Sequence, residues 1–198
     1  MQFLILLATF ACANAYSSGP PVSVVAELCD DMTPRHQNNS PQESEAPYTI
    51  SFTPECFRAG STVRVKVTGT DSSTPINGMF FQARSGANFP AGTRQGTFSG
   101  QPTNMQVISC PNGADTQNGV GHSSQLGASE VEFTWTAPSD LTTDVRIGGT
   151  ILTAVPTFWT EVTETLEYDA ECNGGFILHP SGVITVASVF YALWCRLM

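Results

Sequence analysis

The sequence of 198 residues predicts an all-β protein, a sandwich of two sheets with about seven to nine short strands, stapled by disulfide bonds. Apolar and polar residues alternate along 48–52, 62–68 and 130–136. Alternation of β-branched and aromatic residues is typical of half-buried strands. No stretch has the longer period of an extended amphipathic helix, so strands must supply the core.

Further segments fit the same pattern between clusters of turn-forming residues. The remaining strand candidates are 22–28, 79–84, 105–110, 145–154 and 157–163. Two polar segments, 30–46 and 112–127, are predicted to be long loops, the second around a short strand near His122. A single domain over 16–175 accommodates all of these elements.

Residues 1–15 form an apolar leader that ends Ala13-Asn14-Ala15, the small-x-small pattern of a signal peptidase site. No Lys or Arg precedes the apolar run. The run is much shorter than the ~20 residues of a membrane span. We therefore predict a cleaved signal peptide and a mature chain that begins at Tyr16. The alternative is a buried first strand.

The C-terminal tail, 176–198, is apolar and follows the small residues Asn173, Gly174 and Gly175. This arrangement resembles a GPI-attachment signal, with Asn173 and Gly174 as candidate attachment sites, although the spacer is shorter and more apolar than usual. Two alternatives stay open: a marginal membrane anchor, and a tail packed into the fold. Any membrane attachment would come through this tail.

Outside the two ends, four cysteines remain: Cys29, Cys56, Cys110 and Cys172. An even set behind a secretory leader indicates two disulfides formed in an oxidising compartment. Of the three connectivities, we expect Cys29–Cys110, joining the opening strand to a central one, and Cys56–Cys172, holding the final segment. Each closes a long loop, worth roughly 4–5 kcal/mol by chain entropy.

Composition and motifs disfavour several functional classes. The net charge of −9 argues against nucleic acid and against adsorption to anionic lipid. No histidine pair has metal-ligand spacing, and the motifs of serine hydrolases, phosphate-binding loops and zinc proteases are absent from the sequence. We predict a non-enzymatic protein with no catalytic residue, metal or cofactor. Asn38 begins a glycosylation sequon, followed directly by Pro41, which lowers the expected occupancy.

An ordered series of motifs runs along most of the predicted mature chain. It comprises Cys29-x-x-Met32-x-Pro34-x-His36, Pro47-Tyr48, Gly60, Gly78-Met79-Phe80-Phe81-Gln82-Ala83-Arg84, Gly96-Thr97-Phe98, Cys110, His122-Ser123, Phe133-Thr134-Trp135-Thr136-Ala137-Pro138 and Phe158-Trp159. In order and spacing this series resembles the reeler (reelin N-terminal) domain family. The resemblance implies an Ig-like β-sandwich and the Cys29–Cys110 bond. Met79 departs from the aromatic residue that the family usually has there.

Single-domain members of this family are similar to secreted defence proteins of the insect type. The resemblance therefore implies an extracellular, secreted or surface-tethered binding protein that recognises microbial polysaccharide or lipopolysaccharide in innate immunity. One alternative is an adhesion or matrix protein that binds extracellular-matrix or cell-surface glycans. The other is a fragment-like relative of ferric-chelate reductase without the haem domain, whose axial ligands the chain lacks.

Three residues are candidate ligand contacts: Arg84, Arg94 and His36. A guanidinium group can grip a phosphate or carboxylate with two hydrogen bonds, which suits anionic microbial polymers. The competing role for each arginine is to brace the sandwich. His36 and His122 both match positions of the family series, and the competing role for each is hydrogen bonding to a loop.

Overall fold

The computed structural model describes residues 18–35, 39–71, 73–111 and 115–172. The predicted signal peptide, the C-terminal tail and four candidate site residues lie outside this part of the chain. Those four are His36, Asn38, Asn173 and Gly174.

The described residues contain one short helix and eleven strands. In chain order they are α1 (Leu28–Asp31), β1 (Tyr48–Thr53), β2 (Cys56–Phe57), β3 (Thr62–Gly69), β4 (Gly78–Ser85), β5 (Thr93–Arg94), β6 (Thr97–Ser99), β7 (Met105–Ile108), β8 (Gly119–His122), β9 (Glu130–Thr136), β10 (Val145–Ala154) and β11 (Thr157–Tyr168). The number of strands exceeds the predicted seven to nine because β2, β5 and β6 are too short to show a recognisable alternation of apolar and polar residues.

The strands form two sheets, which confirms the predicted all-β sandwich. The smaller sheet has the order β1-β3-β9-β6. The larger sheet has the order β2-β11-β10-β4-β8-β7, with β5 paired to β4. In the smaller sheet, Val65 of β3 lies opposite Phe133 of β9, and both are buried between the sheets. The alternation along these two strands therefore marks the core face, as predicted.

The central strand β4 is buried on both faces. Its residues from Gly78 to Arg84 are all buried. Met79 and Phe81 belong to the main core between the sheets, whereas Phe80 belongs to a second apolar cluster. Because successive side chains of a strand point to opposite faces, something must cover the outer face of the larger sheet as well. That cover is the N-terminal segment, residues 18–35.

The prediction of a strand at residues 22–28 is wrong. This stretch forms consecutive turns and leads into α1. Pro20 and Pro21 have no N–H to donate to a sheet. Instead the N–H groups of Val24 and Val25 both donate to the Pro21 carbonyl at 2.9 Å. Cys29 consequently lies in a helix and not in an opening strand.

Candidate functional site

The N-terminal segment is fastened across the outer face of the larger sheet along its length. Cys29 forms a disulfide with Cys110, the Cα atoms being 5.7 Å apart. The Thr150 hydroxyl of β10 donates to the Met32 carbonyl at 2.5 Å. Near the start, the side-chain amide of Gln106 donates to the Ser18 carbonyl at 3.1 Å. The other expected disulfide, Cys56–Cys172, is also formed, with a Cα separation of 5.9 Å.

A second apolar cluster lies beneath the segment. Its buried members are Cys29, Met32, Phe80, Phe89, Ile108 and Cys110. Burying a large apolar side chain contributes about 1.5–3 kcal/mol. The cluster therefore stabilises the docked segment independently of the core between the sheets.

Two glycines allow the segment to lie this close to the sheet. A Cβ on Gly149 would come within 2.6 Å of Met32 Cε and 1.9 Å of the Phe80 carbonyl oxygen. A Cβ on Gly19 would lie 2.1 Å from the carbonyl oxygen of His122. Gly19 also has φ of +101°, a backbone conformation that favours glycine. A side chain at Gly19 would push the segment off the sheet, and one at Gly149 would clash with the backbone of β4 as well as with Met32.

Arg84 lies buried under α1. Its Nε donates to Gln82 Oε1 at 2.9 Å and its Nη1 donates to the Gly92 carbonyl at 2.9 Å. Its Nη2 donates to the carbonyls of Cys29 and Asp30, the latter at 3.4 Å. The guanidinium group thus joins β4 to the N-terminal segment.

Arg94 lies beside Arg84 and is also buried. It donates to the Cys29 carbonyl and to Asp30 Oδ1, both at 2.9 Å, and to the Pro111 carbonyl. Burial and the neighbouring Arg94 charge lower the pKa of Arg84 to about 10, although Asp30 acts in the opposite direction. Arg84 therefore remains cationic at neutral pH.

These contacts favour the bracing role that was the alternative for Arg84 and Arg94. Their guanidinium groups face carbonyls within the fold, and only 4% and 7% of the two residues is exposed. A ligand would have to displace those contacts to reach them. Ligand contact by either arginine, or by His36, stays a prediction.

An apolar cleft opens between the N-terminal segment and the outer face of the larger sheet. It encloses about 470 Å³, including space that is open to solvent at its mouth. Most of the lining residues are apolar. The complete lining consists of Gly19, Pro20, Pro21, Leu28, Met32, Pro34, Arg35, Met79, Phe80, His122, Thr150 and Leu152. Arg35 and His122 are the ionisable groups of this lining.

His122 lies at the inner side of the cleft. Its Nδ1 is 3.1 Å from both the backbone nitrogen and the carbonyl oxygen of Met79. The ring packs on Gly78, where a Cβ would come within 3.1 Å of the imidazole Cε1. Burial lowers the pKa of His122 from its usual 6.5, an effect that the Met79 contact partly opposes. The imidazole is therefore neutral at neutral pH.

Acidification should weaken the fold through His122. Because its pKa is lower in the folded than in the unfolded chain, the unfolded chain takes up the proton first, and stability falls as the pH drops below about 6.5. We expect His122→Asn, which does not titrate, to show a smaller loss of unfolding free energy between about pH 7.5 and pH 5.5. Urea denaturation at each pH measures this difference. If the unfolding free energies of the two proteins fell equally with pH, the pH dependence would not come from His122.

Arg35 stands at the rim of the cleft. Its Nη2 lies 2.5 Å from Asp31 Oδ2, and its Nη1 donates to the Thr33 carbonyl at 2.8 Å. The side chains of Arg35 and Asp31 are 42% and 45% exposed. The pair is therefore accessible to solutes, unlike the buried arginines.

The Thr150 hydroxyl should contribute measurably to docking of the segment. Thr150→Val keeps the side-chain shape but leaves the buried Met32 carbonyl without its donor, so we expect a loss of about 1–2 kcal/mol in unfolding free energy. Thr165→Val on the exposed face of β11 is the matched control and should change stability by less than ~0.5 kcal/mol. Denaturation by urea checks both. Equal effects would show that the bond contributes nothing.

Sequence reasoning did not select the apolar residues of the cleft. Met32 belongs to the family series but to no motif of a chemical site, and Leu28 and Leu152 belong to neither. The signal that could have found them is the apolar character of both faces of β4 and β10, since strands buried on both faces read as nearly continuous apolar runs. Such a run shows that a second layer covers the sheet, and a cleft can form where that layer is incomplete.

Nowhere in residues 18–35, 39–71, 73–111 and 115–172 do three or more His, Cys, Asp or Glu side chains gather in an arrangement that could hold a metal ion. No helix in these same ranges has the length and apolar character needed to cross a membrane.

The geometry defines a class of protein: a disulfide-stapled sandwich of two sheets, with a braced N-terminal segment and an apolar cleft on its outer face. The family model of the Reeler domain matches residues 27–172. The chain therefore belongs to the reeler domain family, and the resemblance seen in the sequence is confirmed.

Individual relatives agree with this assignment. A Hyphantria cunea protein named "Putative defense protein Hdd11" is 31% identical over 162 residues, which is 81% of this chain and 92% of that protein. A Drosophila melanogaster protein named "Putative ferric-chelate reductase 1 homolog" is 28% identical over 72% of this chain but only 22% of its own length. The crystal structure of the human F-spondin reeler domain is similar in fold, with a TM-score of 0.54 and 15% identity, over 69% of this chain and 100% of that one.

Proposed function

We propose that this protein is an extracellular, non-enzymatic recognition protein of innate immunity that binds microbial surface components. The observation that carries the proposal is the similarity to a named defence protein along 81% of this chain and 92% of the relative. Similarity over most of both chains supports a shared role better than similarity in one segment. The reductase homolog matches over only 22% of its length, so its activity is not carried over.

The cleft and the disulfides support the same proposal physically. A recessed apolar site with a few polar groups at its edge is the usual form of a binding site for a small molecule or for part of a larger ligand. Two disulfides suit an oxidising extracellular compartment. The partners we propose are microbial lipopolysaccharide or surface polysaccharide, and matrix or cell-surface glycans are the competing class.

A binding panel tests the proposal. The full sequence is expressed in a eukaryotic secretory system, and the recovered protein is titrated against lipopolysaccharide, lipoteichoic acid, β-glucan and a matrix glycosaminoglycan. We expect saturable binding to at least one microbial component. Binding to the glycosaminoglycan alone would favour adhesion instead, and binding to none of the four would overturn the proposal. An absorbance scan with a haem band would favour the reductase-related alternative.

A further inference from the structure

We propose that the apolar cleft holds an acyl chain of an anionic microbial amphiphile, while Arg35 at the rim holds its charged headgroup. This inference rests on the proposed function and names the part of the ligand that the cleft would take. It assigns recognition to the lipid portion of a molecule such as lipopolysaccharide or lipoteichoic acid and not to its sugar chain.

The walls of the cleft favour methylene groups over sugar. Pro20, Leu28 and Met32 come from the N-terminal segment, and Phe80 and Leu152 come from the sheet. A saccharide placed against these groups would bury hydroxyls without hydrogen-bond partners, which costs free energy for each one. An acyl chain has no such groups to satisfy.

Two polar groups of the lining, the Thr150 hydroxyl and His122 Nδ1, are already engaged with the protein. The Thr150 hydroxyl donates to the Met32 carbonyl at 2.5 Å, and His122 Nδ1 lies 3.1 Å from the backbone of Met79. These two groups therefore do not offer a ligand a series of free hydrogen-bond donors and acceptors. A ligand group that enters here is therefore recognised by its apolar surface.

The rim supplies a matching charge. Arg35 is the arginine of the lining, and at the protein surface its guanidinium group contacts both Asp31 and the Thr33 carbonyl. A phosphate or carboxylate can take the place of a carboxylate side chain on a guanidinium group, because the geometry of the two contacts is alike. The net charge of −9 opposes an anionic headgroup on the protein as a whole, so a favourable position for the headgroup depends on this local cation.

The size of the cleft sets the expected dependence on chain length. The space of about 470 Å³ includes the open mouth, so the cleft can enclose only part of an acyl chain. Each buried methylene should strengthen binding about fourfold until the cleft is full. Beyond that length, further methylenes stay in water and the affinity should stop rising.

The first experiment measures this dependence. Straight-chain carboxylates from octanoate to tetradecanoate, below their micelle concentrations, displace dansyl-undecanoic acid from the secreted full-length protein. We expect affinity to rise about fourfold per methylene and then level off. Affinity that does not depend on chain length would overturn the proposal.

Matched variants locate the binding. Leu152→Trp fills the cleft and should weaken both the longest carboxylate and the intact amphiphile at least tenfold. Val155→Trp adds the same ring at an exposed position outside the lining and should bind like the wild type. Arg35→Gln should weaken dodecanoate about two- to fivefold while leaving dodecanol unchanged. Thermal denaturation verifies that each variant is folded.

The two proposals fail in different ways. Lipopolysaccharide or lipoteichoic acid binding that Leu152→Trp leaves unchanged would overturn the acyl-chain site but not microbial recognition. Carboxylates that bind in the cleft of a protein that ignores every microbial component would uphold the site and overturn the proposed function.

Discussion

Replacing Arg84 with methionine is expected to lower the free energy of unfolding by about 2–5 kcal/mol. Methionine keeps an unbranched stem but removes the donors to Gln82 Oε1 and to the Gly92 carbonyl, at 2.9 Å each. A buried acceptor left without a partner costs about 1–3 kcal/mol. The variant also removes the charge repulsion between Arg84 and Arg94, which offsets part of this loss. The total loss of unfolding free energy should therefore be smaller than the summed costs of the acceptors left without a donor. Urea denaturation measures the change.

The control for this variant is Arg64→Met on the smaller sheet. The Arg64 side chain is 61% exposed, and its Nε lies 3.3 Å from Glu132 Oε1. Exposed ion pairs contribute little, so this variant should lose less than about 1 kcal/mol. Similar losses for the two methionine variants would mean that the buried guanidinium does not brace the N-terminal segment.

Removing the Cys29–Cys110 bond should have the second large effect. The double variant Cys29→Ala with Cys110→Ala opens a loop of sequence separation 81. Chain-entropy arguments give about 4–5 kcal/mol for such a loop, and measured losses of native disulfides are commonly about 2–5 kcal/mol. We expect the loss to be accompanied by faster amide exchange in residues 18–35, because the bond fastens this segment to the larger sheet.

The other disulfide provides the comparison. Cys56→Ala with Cys172→Ala removes a bond of sequence separation 116, which joins β2 to the end of the described chain. Its cost in stability should be similar, but amide exchange in residues 18–35 should match that of the wild type. If the first double variant also left this segment protected, packing alone would hold the segment and the bond would not be needed for the cleft.

The predictability of the fold differs between regions for physical reasons. Along β3 and β9 each strand has one buried and one exposed face, so polar and apolar residues alternate and the sequence reveals the structure. In residues 22–28 the valines mimic this alternation, yet Pro20 and Pro21 and the turn hydrogen bonds on Pro21 prevent a strand.

The candidate site was harder to predict than the fold. The cleft combines residues from the N-terminal segment, β4, β8 and β10, which are distant in sequence and lack a common motif. Arginine in a binding protein suggests an anion contact, but only the three-dimensional structure reveals that Arg84 and Arg94 face internal carbonyls. Arg35 lies in the predicted loop 30–46 but was not selected itself, because nothing in its local sequence indicates the apolar cleft beside it.

The most direct test of the account is a chemical-shift map of the isotopically labelled, secreted protein with the microbial component that binds it best. We expect the largest shift changes at Leu28, Met32, Phe80, His122 and Leu152 around the cleft. Shift changes concentrated instead on the exposed face of β1, β3 and β9 would place ligand recognition on the opposite sheet and contradict the account.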